Sequence, residues 1–389
     1  MTSRFLPARF LVLSAVLVLC GALHVSGQDK VGDASYIEGN VGLQRDGRQM
    51  DQSEVQTGLA IQNYDFVKTG ADGLAEVSIT APKAAGATIK VSPHTQFSFE
   101  LNNTGTRQQS FVGLMSGTIA LTVAKLTGSQ DVSVHIDGAV MGVRGTEFTV
   151  TSPPSGDLLV TCRSGDVVCT DENGNEFHAT PGSAVEKKFG EKFVTLEVKG
   201  DVEDFRKQWE DERVAFLKEH AIVVIQREAA RYDALVDEFT ESYAALMEKK
   251  EILAKWEREE KNGKIGSSAE VEKEKGEIAD LIANLRETQF LLERVHYRLR
   301  ALKEEYHDQG FGKGDIRKGL TTMAFFERFE KDRPELEARM AFVRHMIKMY
   351  SHRNKGLDPT VVADLKRYYE RRLARLKKLE LRKKVVKKT

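Results

Sequence analysis

The sequence predicts an α+β chain whose two kinds of structure occupy separate regions. An N-terminal all-β domain, an antiparallel sandwich or rolled sheet of short strands, is followed by a long α-helical coiled-coil or hairpin region. Two observations carry this reading. From Val31 to Val198 apolar and polar residues alternate in short runs such as AEVSI, TIKVS, QFSFEL, TIALTV, EFTV and LLVTC, separated by turn signals including GADG, SGT, IDGA, SGD, ENGN and PGS. A period of two broken by frequent turns marks half-buried antiparallel strands. At Gly200 and Asp201 the spacing of apolar residues changes to three and four, that of one helix face.

In chain order, residues 1–27 place Arg4 and Arg9 before an apolar run from Phe10 to Leu23 that is too short to span a bilayer. With Val25, Ser26 and Gly27 before Gln28 this is the layout of a secretory signal peptide, so the chain is expected outside the cytoplasm, periplasmic or secreted. A lipid anchor on Cys20 is the rival reading, disfavoured by the bulky Leu19 before it. Residues 28–198 then suffice for one β domain with one core.

A long helix is expected over residues 201–261. Asp201 is placed to cap it, Val202, Phe205, Trp209, Phe216, Val223, Phe239, Leu246, Leu253 and Trp256 form its apolar face, and Asn262 and Gly263 end it. Ser267 and Glu270 offer a capping box for a coiled-coil helix over 267–307, whose seam runs Ile278, Leu281, Leu285, Thr288, Leu292, Val295, Leu299, Leu302, Tyr306. Residues 308–319 read as a linker and 320–389 as a helical region with a basic tail. In that last region the run from Asp332 to Glu335, with Pro334 inside it, reads as a break, and Asp358 and Pro359 cap the final helix, with Val362, Leu365, Tyr369, Leu376 and Leu379 on one face. Long helices joined by short turns fold back as antiparallel hairpins, so an elongated stalk or bundle is expected, one that can space or oligomerise the protein.

Formal charge is zero overall but unevenly placed. Residues 28–200 hold 14 basic and 21 acidic side chains, residues 201–358 hold 30 and 34, and residues 359–389 hold 12 and 3. The basic tail can meet an anionic membrane, an acidic envelope polymer or an acidic partner, or be a solvated helix end. Nucleic acid is not an expected partner, because a secreted chain rarely meets it.

Little in the sequence points to chemistry. GFGKG at 310–314 lacks the preceding strand and the following Ser or Thr of a phosphate loop, and reads as a linker. His345 and His352 are two helical turns apart where a chelating pair sits one turn apart, so they are read as packing or solvent-facing, as are His296 and His307; His135 and His178 are isolated. No nucleophile motif such as GxSxG appears, and neither a cofactor, a metal nor an enzymatic activity is expected. Cys162 and Cys169 flank TCRSGDVVCT, read as a hairpin. If Gly165 and Asp166 form its turn, the cysteines lie opposite each other and can bond. If Ser164 and Gly165 form it, they are diagonal and too far apart, and the two readings stand open.

GVRGTEFTV at 142–150 sets two glycines around an arginine. A phosphate loop would need a helix after it, whereas Thr146 to Val150 continue as a strand; Gly142 and Gly145 therefore read as bends or close approaches, Phe148 and Val150 as core, Glu147 and Thr149 as outward. Arg144 is the candidate partner-binding residue, or a mate for Glu147 or Asp137.

VKTGADGLAEVSI at 67–79, TIKVSPHTQFSFE at 88–100, VMGVRGTEFTV at 140–150 and the glycine-turned strands of LLVTCRSGDVVCTDENGNEFHATPGSAVE at 158–186 together resemble the FecR family of extracytoplasmic domains, over residues 31–190. Gly142, Val143, Gly145, Thr146 and Phe148 are the family-motif positions. The resemblance implies a β module that contacts envelope proteins or surface components. The membrane span and cytoplasmic anti-sigma segment of the iron-uptake regulators find no counterpart in the sequence, so iron regulation is not carried over. The function expected is that of a non-enzymatic extracytoplasmic binding or scaffold protein. The alternative is a ligand-sensing component of an envelope signalling system that acts through a separate membrane partner.

Overall fold

The structure, a computed structural model, describes residues 30–80, 86–102, 109–123, 131–136, 138–143 and 145–353. The expected leader, Cys20, Asp137, Arg144 and the basic tail lie outside the described residues.

Among the described residues, seventeen strands between Lys30 and Glu197 form one continuously hydrogen-bonded sheet folded into two layers. The first layer runs, edge to edge, Ala60–Gln62, Lys30–Glu38, Leu74–Ile79, Thr88–Val91, the second half of Gln109–Thr122, Glu147–Ser152, Leu158–Ser164, Ser183–Lys187, Val194–Glu197. The second runs Arg48–Gln49, Val41–Arg45, Phe66–Thr69, Gln96–Asn102, the first half of Gln109–Thr122, Asp131–Ile136, Ala139–Val143, Val167–Asp171, Glu176–Ala179. The long shared strand makes the sheet both sandwich and roll, as expected. One pairing departs from the antiparallel rule: Asp131–His135 runs parallel to Gln109–Gly113. Alternate residues from both layers, among them Ile89, Phe97, Val134, Phe148, Val150 and Val160, fill the core between them.

Among the described residues four helices follow: α1 (Val202–Met247), α2 (Lys250–Asn262), α3 (Ser268–Leu302) and α4 (Thr322–His352). Asp201 accepts from the backbone of Glu203 and Asp204, and Ser267 and Glu270 form the capping box. The single helix expected over 201–261 is broken at Glu248 and Lys249 into α1 and α2. Residues 303–307 widen into a π turn, and within the expected linker Asp315–Arg317 pairs with Leu320–Thr321 as a short hairpin. The break expected at Pro334 does not occur: α4 passes through it. Pro334 is exposed, so the carbonyl it leaves without an amide donor can turn to water.

Thr288 Oγ1 donates to Glu238 at 3.0 Å and Lys249 Nζ to Glu277 at 3.4 Å, which sets α3 antiparallel to α1. Gln289 Nε2 donates to Met340 O at 2.9 Å and His307 pairs with Thr322 at 3.0 Å, which sets α4 antiparallel to α3. The hairpin packing is thus as the sequence predicts, but the free stalk is not. The helices lie across the β sandwich, and from Leu292 to Leu299 every residue of α3 is buried, including Glu293, Arg294, His296 and Arg298. The outward charges of the predicted seam are enclosed because further surfaces close over them, α4 over Glu293 and His296 and the β sandwich over Arg294 and Arg298.

Candidate functional site

The family motif sits where the chain changes layers. Ala139–Val143 belongs to the second layer and Glu147–Ser152 to the first, so Gly145 and Thr146 lie at a corner between them. Leu158–Ser164 and Val167–Asp171 likewise belong to different layers, and residues 165–166 form the return corner. The two corners touch. Gly165 has φ +91°, and a Cβ built on it would lie 2.6 Å from Thr146 Cγ2 and 2.9 Å from Gly145 O. Gly145 itself has φ +65°, a backbone region that favours glycine. Gly142 departs from the expected tight packing: it is exposed and a Cβ there would meet nothing within 4 Å. Gly165→Ala is therefore expected to destabilise by about 1–3 kcal/mol, while Gly142→Ala stays within about 0.5 kcal/mol. Chemical denaturation of the two variants distinguishes them, and equal effects would refute the corner.

Phe148 and Val150 face the core and Glu147 and Thr149 face away, as the alternation predicts. Glu147, one of the two carboxylates considered for Arg144, lies 3.7 Å from Arg163 Nε across an exposed surface. Val143 falls in register with Val132 and Val167, and its side chain lies outside the described residues.

The hairpin drawn for the two cysteines is corrected by the same corner. Because the chain changes layers at Gly165, Cys162 pairs across the ladder with Phe148 and Cys169 with Met141. Both thiols are free and buried. Burial pushes the Cys162 thiol up, and that of Cys169 up to about 12. Iodoacetamide is expected to alkylate neither in the native protein and both after unfolding without reductant. Failure of the unfolded, unreduced chain to react would show a bond between them.

A second site lies at the junction of sandwich and helices. In the strand Phe66–Thr69, Val67 points to the core, leaving Phe66 to point outward; yet Phe66 is buried, stacked on Tyr297 of α3 at 5.0 Å between ring centroids and clustered with Met115. Around this apolar centre charged groups are paired. Glu293 accepts from Arg344 and from Gln289 Nε2, and Arg344 also reaches Gln44 at 3.2 Å. Arg294 donates to His135 O at 2.9 Å, Arg227 to Ser155 O at 2.6 Å, and Trp209 Nε1 to Glu186 at 2.5 Å. Lys348 Nζ lies 2.7 Å from Asp46, and Tyr64 shares a 2.8 Å hydrogen bond with Ser351.

The histidines also find partners here. His296 meets Glu337 at 3.0 Å, His345 meets Asp46 at 3.6 Å and His352 meets Glu260 at 3.5 Å, so none of the three is solvent-facing. His178 pairs with Asp166 at 2.9 Å. Among the described residues no group of three or more His, Cys, Asp or Glu is placed to hold a metal ion.

Burial works against a charged Asp46, but His345 and Lys348 hold its carboxyl well below the usual carboxylate range. A depressed folded pKa contributes stability that is present above the unfolded value of 3.8 and is lost as pH falls through and below it. The drop in Tm between pH 7 and pH 3 is thus expected to be smaller in Asp46→Asn than in the parent protein. Identical drops would remove Asp46 from the acid response.

Between the second layer and α3 and α4 lies a cleft of about 80 Å³ lined by Ser98, Glu100, His135, Gln289, Phe290 and Glu293, among others. Small-molecule sites start near roughly 300 Å³, and this space holds about two or three waters. Gln289 Oε1, buried without a hydrogen-bond partner, suits a donor of that size.

None of these junction residues was singled out from sequence as a site. The available signal was Phe66 beside Val67, two apolar neighbours in a strand, which requires cover on both faces.

A β sandwich whose chain switches layers at paired glycine corners, with helices packed against the outer faces of both layers, defines the class of fold. Residues 65–168 match the family model described as FecR protein, and the chain carries a FecR domain there; the sandwich itself extends beyond the match, from Lys30 to Glu197. Two solved structures of a protein provisionally described as an anti-sigma factor, from Parabacteroides distasonis ATCC 8503, resemble part of the chain. One is 14% identical with a TM-score of 0.29, covering 34% of this chain and 59% of its own. The other is 17% identical with a TM-score of 0.26, covering 32% and 60%. The chain thus spans about three fifths of the length of these structures. No curated protein matches the sequence. Among the described residues no helix is long and apolar enough to cross a membrane.

Proposed function

We propose that this protein is a non-enzymatic extracytoplasmic binding or scaffold protein, in which the FecR domain and the helices act as one recognition body. The observation that carries the reading is the junction: Phe66, Met115 and Tyr297 with the Glu293–Arg344 pair bury the outer face of half the second layer under the chain's own helices. Recognition is then left to the uncovered half, where Gly142 is bare and is followed two positions on in the sequence by Arg144. An isolated FecR domain would expose Phe66 and Met115 and bind indiscriminately, so the test uses the full mature chain as bait on an envelope extract. A defined envelope protein or surface component is expected, recovered by the parent chain and lost with Arg144→Glu. Recovery of nothing, together with degradation of peptidoglycan by the purified chain, would overturn the reading. Cell fractionation is expected to place the protein outside the cytoplasm.

The alternative, a ligand-sensing part of an envelope signalling system acting through a separate membrane partner, draws on the junction cleft, which lies where movement of helices against sandwich would be felt. Its size restricts such a ligand to a few heavy atoms.

A further inference from the structure

Two local irregularities of the backbone meet at the C-terminal end of α3. The turn from Ser92 to Thr95, between the strands Thr88–Val91 and Gln96–Asn102, places His94 after Pro93 at φ +55°, a left-handed conformation that glycine or asparagine fills at least cost. Against it lies the π turn of residues 303–307, a form that concentrates at functional sites. The side chains at these two places bond to each other: His94 Nδ1 is 3.1 Å from Glu305 Oε1. A second histidine closes the other side of the same turn. His307, 6% exposed, packs on the Phe326 ring at 4.8 Å, and its Nε2 lies 3.0 Å from the Oγ1 of Thr322, the first residue of α4. That oxygen also accepts from the Gly314 amide at 3.3 Å.

The two histidines need opposite charge states. The hydrogen bond to Glu305, against burial and with the charges of Glu305 and Glu304 adding to it, holds His94 above the ordinary histidine value of 6.5. Burial, with the charges of Lys313 and Lys303 adding to it, holds His307 below 6.5, although Asp308 lies 3.8 Å away. The stability that His94 contributes is therefore full below pH 6.5 and lost as pH rises through its raised value. That of His307 is full above pH 6.5 and lost as pH falls through its lowered value.

From the meeting of the left-handed turn, the π turn and the two histidines that flank it, we propose that residues 303–307 form a pH-sensitive joint, closed while His94 is charged and His307 neutral and loosened by a move of pH in either direction. Loosening acts on the cover of the sandwich. Tyr297, which stacks on Phe66, lies about two helical turns before the joint. Beyond it Phe311 packs into the helical core and Gly312 lies against Ala221 of α1. The joint thus sets how firmly the helices stay over Phe66 and Met115. This rests on the reading that helices and sandwich act as one body, and its test measures the joint with no partner present.

Hydrogen–deuterium exchange of the full mature chain at about pH 5, 6.5 and 8, corrected for intrinsic exchange rates, reads the joint through the amides of Asp308 to Phe311, which donate to carbonyls of residues 303–307. Protection is expected to be highest near pH 6.5, about two- to fivefold lower at pH 8, the factor a partly exposed charge pair supplies, and at least about twofold lower at pH 5. His94→Asn, which suits the left-handed turn, is expected to abolish the fall at pH 8 and keep that at pH 5, and Glu305→Gln should do the same with the turn untouched. His307→Gln is expected to abolish the fall at pH 5. Histidine C2 exchange in the parent chain reads both protonation midpoints directly, expected above 6.5 for His94 and below it for His307, and needs no variant to fold. His296, His345 and His352, paired with Glu337, Asp46 and Glu260, remain in every variant, so differences between variants belong to the joint. Protection that does not change with pH in the parent chain would overturn the proposal, as would a fall at pH 8 that survives His94→Asn or midpoints in the reverse order. Any of these leaves the binding reading to the envelope bait experiment.

Discussion

Replacing Glu293 with alanine is expected to destabilise the protein by about 3–5 kcal/mol, the cost of leaving a buried charge without its partner. Glu293 is 3% exposed and accepts from both Arg344, itself 8% exposed, and Gln289. Its removal strands a guanidinium between Phe66 and the helices, since Arg344 also lies over the Phe66 ring at 4.5 Å. The loss belongs to the uncompensated charge and not to the attraction of the pair. The double variant Glu293→Leu with Arg344→Met should accordingly regain most of it. Urea unfolding followed by the fluorescence of Trp209 and Trp256, both buried, measures the two. A loss below about 1 kcal/mol for the single variant would mean a hydrated surface pair, and the clamp between helices and sandwich would fall with it.

The second large effect belongs to the family motif. Phe148 is 2% exposed and packs between Leu121 and Cys162 on neighbouring strands of the first layer. Phe148→Ala is expected to cost about 3–5 kcal/mol through lost burial and the cavity it leaves. Glu147→Gln, one residue away on the outer face and 3.7 Å from an exposed Arg163, should change stability by no more than about 0.5 kcal/mol. The contrast separates fold determinant from surface within two adjacent positions. Equal losses would show that the strand is not in the register described.

The alternating runs identified the strands because one face of each is buried in a single core, and a period of two records that directly. The caps at Asp201 and Ser267 were legible because they satisfy backbone amides only a few residues away. The seam from Ile278 to Leu302 was legible for a similar reason: most of its members face α1 or α4 within one helical layer. Reading failed where a second surface intervened. Glu293, Arg294, His296 and Arg298 look like the solvated side of a coiled coil, yet each is buried: α4 supplies Arg344 to Glu293 and Glu337 to His296, and the sandwich supplies His135 O to Arg294 and Ser152 Oγ to Arg298. TCRSGDVVCT looks like a hairpin because Gly165 suits a hairpin turn and a layer-crossing corner equally well; only the packing of Gly165 on Thr146 separates the two. Pro334 looks like a stop because it removes the amide that would bond Glu330 O, and the sequence does not show that it stands on the exposed side of the helix.

Sequence alone determined the division at Gly200 and Asp201, the helix caps, the alternation that buries Phe148 and Val150, and the resemblance to FecR domains. All of these rest on interactions between residues close in the chain, or on a burial pattern repeated along it. Tertiary structure decided that the expected stalk lies down on the sandwich, that the two cysteines belong to separate layers with free thiols, and that buried ion pairs close the junction. Those outcomes depend on groups such as Gln44 and Arg344, or Asp46 and Lys348, which lie about 300 positions apart and meet only when two independently patterned surfaces dock.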